Sequence, residues 1–476
     1  MMSRFNTPTT GTMTVNLAGG EAYTQNPELE LTSILLTSFA YNQFHRSAND
    51  TFAKLKSLVY QCDPEFVAKA AIYARVQYGM RSITHVVASE LAKYISGKPW
   101  GKDFYRAIVY RPDDMMEILS YHKSQGQKIP AAMKKGFALA FNKFDAYRIA
   151  KYRGEGKDIS LVDVVNLVHP RPIEKNAEAL NQLVNGTLKS TDTWESQMTT
   201  AGQTAKNETD KAEMKSAVWG NLLRENKLGY FALLRNLRNI VEQAPDVLPL
   251  ALERLVDEEI ISKSLVLPFR YISAYDEIVK LSNGVAVRQI MQALNKAVDL
   301  SVKNVPVFPG DTLVVLDTSD SMDGLPAKIG SLLTAVLVKS NNADLITFDS
   351  QAHYRQVNPD DSTLTISQAL RFSGGGTNFH SIFQRAARKY DRIIILSDMQ
   401  GWVEYKSPVG EFNDYKQKTG ADPYVYSFDL QGYGSMQFPQ RKVYCLAGFS
   451  EKVFDIMKLL EEDKEALVNK IKEVEL

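Results

Sequence analysis

Thr312-Leu313-Val314-Val315-Leu316-Asp317-Thr318-Ser319-Asp320-Ser321-Met322 reads as a buried apolar strand that delivers Asp-x-Ser-x-Ser oxygens to the loop at its carboxyl end. A short continuous apolar run suits a strand covered on both faces, and Asp317, Ser319 and Ser321 at alternate positions present hard oxygens toward one point. Two later stretches fit the same place. Gly374-Gly375-Gly376-Thr377-Asn378 is a glycine-rich loop, and Asp398 follows a second apolar run, Ile393-Ile394-Ile395-Leu396.

Outward from that strand, apolar runs alternate with helical patterns. Strands are expected over Thr312–Leu316, Ala343–Phe348, Arg392–Leu396, Tyr424–Phe428 and Lys442–Leu446, and helices over Ala327–Lys339, Ser362–Phe372 and Asn378–Tyr390. Such alternation implies a parallel sheet with right-handed crossovers, whose ligands bind at the carboxyl ends of strands. Residues 305–476 are therefore expected to form an α/β doubly wound domain, with Asp317, Ser319, Ser321, Thr377 and Asp398 around a divalent cation. A shell of carboxylates and hydroxyls suits Mg²⁺ or Mn²⁺ better than Zn²⁺. The plainer reading makes Asp317, Ser319 and Ser321 turn and cap residues for the helix after Pro326, and Gly374 to Gly376 a flexible loop. A phosphoryl-transferring aspartate loop would want an acid where Ser319 stands. A P-loop needs Gly-Lys-Ser/Thr, whereas Gly376 is followed by Thr377 and Asn378.

Upstream the texture differs. From Leu29 to Leu300 apolar residues recur at helical spacing, as in Phe66-Val67-Ala70-Ile72-Tyr73-Val76 and Ile83-Val86-Val87-Leu91-Ile95. Breaks come often, at Asp63-Pro64, Gly97-Lys98-Pro99, Arg111-Pro112, Ile129-Pro130, His169-Pro170 and Leu267-Pro268. Short helices in antiparallel pairs, stacked as an α-solenoid over residues 1–304, are the economical packing. Lys189 to Lys215, rich in Thr, Lys, Glu and Gln, is expected to be a helix pair or loop.

At 476 residues, 44% of them apolar and 23% charged, the chain is long enough for two or three globular cores. Its two cysteines, Cys62 and Cys445, lie in different halves and suggest a reducing, cytoplasmic setting. Met1 to Asn16 lacks the basic and apolar regions of an export signal, and no apolar run is long enough to span a membrane. His45, His85, His122, His353 and His380 show no ligand spacing.

The net charge of +1 hides an asymmetry, since residues 51–154 hold 18 basic residues against 8 acidic ones. Its densest part contains Lys128, Lys134, Lys135, Lys143, Arg148, Lys151 and Arg153, with Asp145 as the sole acid. Phe137, Phe141, Phe144, Tyr147 and Tyr152 interleave with them, some for the core and some available to stack on bases. This is the footprint of a phosphate-binding surface, and its plain counterpart is a solvated basic helix face. Arg171 and Arg235 extend the candidate set. His169 before Pro170 is expected to close a helix, and Trp194, with Thr193 as cap, to pack.

The three-part oxygen site resembles the metal-ion-dependent adhesion site of von Willebrand factor A domains. The helical part resembles the TROVE module of the Ro autoantigen family, which includes the bacterial Rsr proteins. The resemblance is carried by Lys151-Tyr152, by Asp163-Val164-Val165-Asn166-Leu167-Val168-His169-Pro170-Arg171-Pro172, by Thr193-Trp194-Glu195 and by Ala232-Leu233-Leu234-Arg235-Asn236-Leu237. It implies a ring of HEAT-like helical repeats followed by an A domain. It also implies a non-enzymatic cytoplasmic protein that holds small noncoding Y-like RNA and the single-stranded 3′ ends of misfolded or decaying RNA. An exoribonuclease is an implied partner; DNA and membranes are not. The competing class is a Mg²⁺-dependent protein-interaction adaptor without an RNA role.

Overall fold

The computed structural model describes residues 13–24, 26–37, 48–189, 194–264, 266, 268–281, 284–302, 305–402, 408–433, 435–437, 442–446, 452–462 and 466–476. The chain forms two compact units. The first comprises Met1–Thr191, Gln431–Gly448 and Leu459–Leu476, and the second Asp192–Leu430 and Phe449–Lys458.

In the first unit, β1 (Met13–Val15) pairs antiparallel with β2 (Glu21–Thr24), which also pairs with the short strand Ser435–Met436. The turn is held by the Asn16 side chain, which accepts from the amides of Ala18 and Gly20 at 3.0 and 2.9 Å. A series of short helices follows, from Pro27–Thr37 to Ala177–Val184, each packed chiefly on helices one or two places along the chain. That is the layout of a helical-repeat stack. Local signals set the boundaries. Asp63 caps Pro64–Gln77, which has Pro in its first turn, and Ser160 with Asp163 forms a capping box on Leu161–Val168. His169 closes that helix in the left-handed conformation at φ 47°, the structural role expected of it. At Gly136 the helices Gly101–Ile108 and Ala131–Ala140 approach so closely that an added Cβ would lie 2.5 Å from the Lys102 carbonyl and 3.0 Å from the Arg106 amide.

A buried charge cluster joins three helices of this unit. Asp114 is fully buried and accepts from Arg75 at 2.9 Å, from the Tyr110 and Arg111 amides at 2.9 and 2.8 Å, and contacts His85 at 3.0 Å. Burial alone would raise its carboxyl. The His85 hydrogen bond and the charges of Arg75 and Arg81 overcome that and hold it well below the usual carboxylate range. Arg81 and Arg111 both pair with Asp113, at 2.9 and 2.6 Å, so much of the basic excess near residue 100 is committed internally.

The second unit opens with helices. Trp194–Thr204 and Glu208–Arg224 form a pair in which Trp194 stacks on buried Trp219 with centroids 5.8 Å apart. The Trp194 contact is thus packing; Thr193, its expected cap, lies outside the described residues. Further on, Phe269–Val279 and Val285–Ser301 pack directly on helices Leu325–Asn341 and Thr363–Ala369. Lys328 reaches Asp276 at 2.6 Å, and the Ser362 and Thr363 hydroxyls reach Asn295 and Asp299 at 2.6 and 2.5 Å.

The sheet of this unit holds β3 (Thr312–Asp317), β4 (Asp344–Phe348), β5 (Ala352–Arg355), β6 (Arg392–Ser397) and β7 (Tyr424–Asp429), in the spatial order β5-β4-β3-β6-β7. β3, β4, β6 and β7 are parallel, and β5 is antiparallel to β4. Every residue of β3 and β6 is buried, as a strand covered on both faces requires. The fold is thus an all-α repeat region followed by an α/β doubly wound domain, as the sequence implies. Three elements differ, the first being the helix expected over Ser362–Phe372, which ends at Ala369 where Leu370 turns extended. The helix expected over Asn378–Tyr390 ends at Arg385, where Ala386 turns extended. β5 was not anticipated because only Ala352 of its four residues is buried, leaving almost no apolar pattern. Among the described residues no helix is long and apolar enough to cross a membrane.

Candidate functional site

The carboxyl edge of the parallel sheet gathers the oxygens singled out in the sequence. Asp317 ends β3 fully buried; its Oδ1 accepts from the Ser319 amide at 2.9 Å and its Oδ2 from the Ser397 hydroxyl at 2.5 Å. The Ser319 and Ser321 hydroxyls lie 3.3 Å apart, and Thr377 is buried. Asp398 follows β6, also fully buried, with Oδ1 accepting from the Gln400 amide at 3.2 Å and Oδ2 left without a hydrogen-bond partner.

Neither the Asp nor the serines cap the following helix. Gly324, at φ 82°, occupies the N-cap position of Leu325–Asn341. The capping alternative therefore explains only the Asx-type turn from Asp317 to Ser319.

The electrostatics are those of a site lacking positive charge. Burial pushes the Asp317 carboxyl up to about 6, against hydrogen bonds from Ser319 and Ser397 that favour the anion. Burial, and then the charge of Asp317, push the Asp398 carboxyl well above the usual range. Two buried carboxylates, one with an orphaned oxygen, beside hydroxyls and with no basic side chain among the causes of their shifts in the described residues, fit a hard divalent cation. Among the described residues no group of three or more His, Cys, Asp or Glu converges to hold a metal, so a cation here would rest on two carboxylates and on hydroxyls.

Sequence reasoning missed the residues that shape this edge. Asp349 follows β4 and accepts from the Ser373 hydroxyl, while its carbonyl accepts from the Asn378 amide at 2.8 Å. Ser350 accepts at its hydroxyl from the Gly376 amide at 3.1 Å. Gly374 and Gly375 adopt φ 75° and 95°, and a Cβ on Gly374 would collide with the Asp320 carboxylate, so glycine is required there for geometry, not looseness. Asp429 ends β7, opposite Ser397 in register. The missed signal is simple: each of the four parallel strands ends in or is closely followed by an aspartate, Asp317, Asp349, Asp398 and Asp429.

The basic residues of the first unit separate into two groups. Lys128, Lys134, Lys135, Arg148 and Arg171 are exposed, and their side chains have no ion pair among the described residues. Exposed Lys151 lies 5.7 Å from the Tyr147 ring centroid and 5.8 Å from that of Tyr152. Lys143 and Arg153 have structural work. The Lys143 ammonium donates to the carbonyls of Arg106 and, at 2.9 Å, Val109, closing the helix Gly101–Ile108. Burial and the charge of Arg106 pull it down to about 8. Arg153 donates to the Leu188 carbonyl and pairs with Glu155 at 3.0 Å. Phe137, Phe141 and Phe144 are core, which leaves exposed Tyr147 as the open ring of that stretch, since half-buried Tyr152 has the Arg111 guanidinium 4.6 Å from its centroid. In the second unit Arg235 is exposed over the Phe231 ring, whereas Arg238 pairs with Glu242 at 3.2 Å and Glu277 at 3.6 Å.

Comparison with known proteins adds lineage to this geometry. The TROVE domain profile matches residues 30–215 and 188–289. Telomerase protein component 1 of Mus musculus is 25% identical over 339 residues, covering 54% of this chain, and its Rattus norvegicus counterpart is 23% identical. The chain spans 13% of the length of these relatives. The crystal structure of the Deinococcus radiodurans Ro (Rsr) protein superposes with a TM-score of 0.61 at 18% identity, over 94% of this chain and 99% of that one, and so shares its fold. With the TROVE match alone spanning more than half of its length, the chain belongs to the TROVE-domain family.

Proposed function

We propose that the protein is a non-enzymatic RNA-binding scaffold. It holds small noncoding, Y-like RNA and the single-stranded 3′ ends of misfolded or decaying RNA, and presents them for quality control or degradation. TROVE membership supports RNA binding in general. The observation that carries the reading for this chain is the set of exposed, unpaired cations Lys128, Lys134, Lys135, Arg148 and Arg171, with Lys151 beside two tyrosines. Phosphates attract such spread charge, and unpaired bases stack on exposed rings, so structured RNA with a single-stranded tail is the matching ligand. Lys143 and Arg153 would act mainly through the backbone they hold.

Asp317, Ser319, Ser321, Thr377 and Asp398 would hold Mg²⁺, which would supply an electrophilic position for an acidic group of a partner, an exoribonuclease in this reading. The protein-only adaptor reading draws on that same site. RNA binding separates the two. Filter binding at low salt with a hairpin carrying a 3′ tail is expected to show affinity in the parent and a loss of at least about tenfold in Lys134→Glu with Lys135→Glu. No affinity in the parent leaves the adaptor as the surviving account, and affinity undiminished in the double variant removes Lys134 and Lys135 from the RNA surface.

A further inference from the structure

Helix Tyr230–Gln243 of the second unit carries an exposed aromatic ring, Phe231, with 41% of its surface open to solvent. Two guanidinium groups lie over that one ring: Arg235, one turn along, at 5.8 Å, and Arg270, from helix Phe269–Val279, at 5.7 Å. Arg270 also lies 4.7 Å from the Phe269 ring. The acids nearby serve other cations. Glu242 pairs with Arg238, Glu277 with Arg238 and Lys280, and Asp276 with Lys328. Neither Arg235 nor Arg270 has an acidic partner among the described residues.

Two guanidinium groups thus share one exposed ring with no acid to neutralise them among the described residues, which leaves their charge available to an anionic ligand. Burial and the charge of Arg235 lower the affinity of Arg270 for its proton, the sign of repulsion between the two. Arg270 also sits in the first turn of its helix, whose N-cap Pro268 offers no side-chain acceptor, so the helix end adds to the positive field. An anion settles the charges and a flat π-system settles the ring.

We infer that Phe231, Arg235 and Arg270 form a seat for one nucleotide of an unpaired strand, the base against Phe231 and the phosphodiester between the two guanidinium groups. A duplex cannot use it, because its bases are already stacked on one another. The site rests on the RNA reading above but involves none of the first-unit lysines, so it can fail alone.

The test is titration of the whole protein with a short unstructured oligoribonucleotide, a blunt hairpin without a tail, and inorganic polyphosphate as a base-free polyanion. Phe231→Ala is expected to weaken the oligonucleotide about tenfold, and to leave hairpin and polyphosphate within about twofold. Phe231→Tyr should restore binding, and Arg270→Gln should weaken oligonucleotide and polyphosphate alike. Because Phe231 is solvent-exposed, its truncation should leave the fold intact, and Phe231→Tyr controls for that. Oligonucleotide affinity unchanged in Phe231→Ala overturns the seat, as does an equal loss of polyphosphate, which would mark a patch of charge alone. A parent that binds the hairpin but not the oligonucleotide sinks this inference and spares the RNA reading; a parent that binds neither sinks both.

Discussion

Single side chains here reveal what the fold tolerates and what it leaves unfinished. Asp398 keeps an unpartnered oxygen inside the protein next to a second acid, a cost that a well-placed cation would remove. In chelator, Asp398→Asn is expected to unfold no earlier than the parent, since it deletes a buried charge. With Mg²⁺ at a hundredfold excess over Kd, the parent should gain about 2.7 kcal/mol and the variant nothing. An equal Mg²⁺ shift of melting temperature in both proteins would refute the site. Asp114 is the opposite case, an acid whose charge is fully answered. Its folded carboxyl titrates below the unfolded value of about 3.9, so the unfolded chain binds more protons in that window and stability falls as pH drops below about 4. Asp114→Asn should therefore lose about 3–5 kcal/mol at neutral pH, with Arg75 left buried and unpaired, and should show a flatter decline between about pH 4 and pH 2. Thermal melts across that range decide; parallel curves would show that Asp114 is not the titrating group.

At the scale of elements, much of the architecture was legible because apolar period and punctuation agree. The four parallel strands lie within one residue of their expected bounds, each a run of buried residues that only a covered sheet accommodates. Asp317 and Asp398 were legible as site residues because they terminate such runs. Asp349 and Asp429 do so too, yet the surrounding sequence carries no serine-rich loop to draw attention to them. The roles of Lys143 and Arg153 were not legible at all, since a cation bound to a backbone carbonyl and one bound to water look the same in a sequence. Equally hidden is the helix crossing at Gly136, which local propensity would penalise as glycine within a helix. There the neighbouring backbone fills the space of a side chain, so Gly136→Ala should destabilise the first unit by about 1–3 kcal/mol despite its better helix propensity. Denaturant titration with an unchanged slope and an earlier midpoint is the expected result. A later midpoint would mean that the two helices separate without cost.

Taken whole, the molecule is nearly neutral, and that neutrality makes its charge pattern testable. A protein with uniform charge near +1 would bind RNA weakly and with little dependence on salt, whereas one that concentrates unpaired cations on a few helices should behave locally as a polycation. Of the 18 basic residues in 51–154, Arg75, Arg81, Arg111, Lys143 and Arg153 are bound to acids or carbonyls, so the formal excess overstates what phosphates can reach. The densest exposed cations are Lys128, Lys134, Lys135, Arg148 and Lys151, with Arg171 just beyond that stretch. If about four to six phosphates are neutralised, the logarithm of affinity should fall against the logarithm of salt with a slope of about −3 to −5, and Lys134→Glu with Lys135→Glu should flatten it by about 2. Fluorescence polarisation of a tailed hairpin between low and physiological salt measures this directly. A slope near zero in the parent would mean that phosphates are not what these lysines bind, and a steep slope indifferent to the double variant would move the RNA surface to another part of the chain.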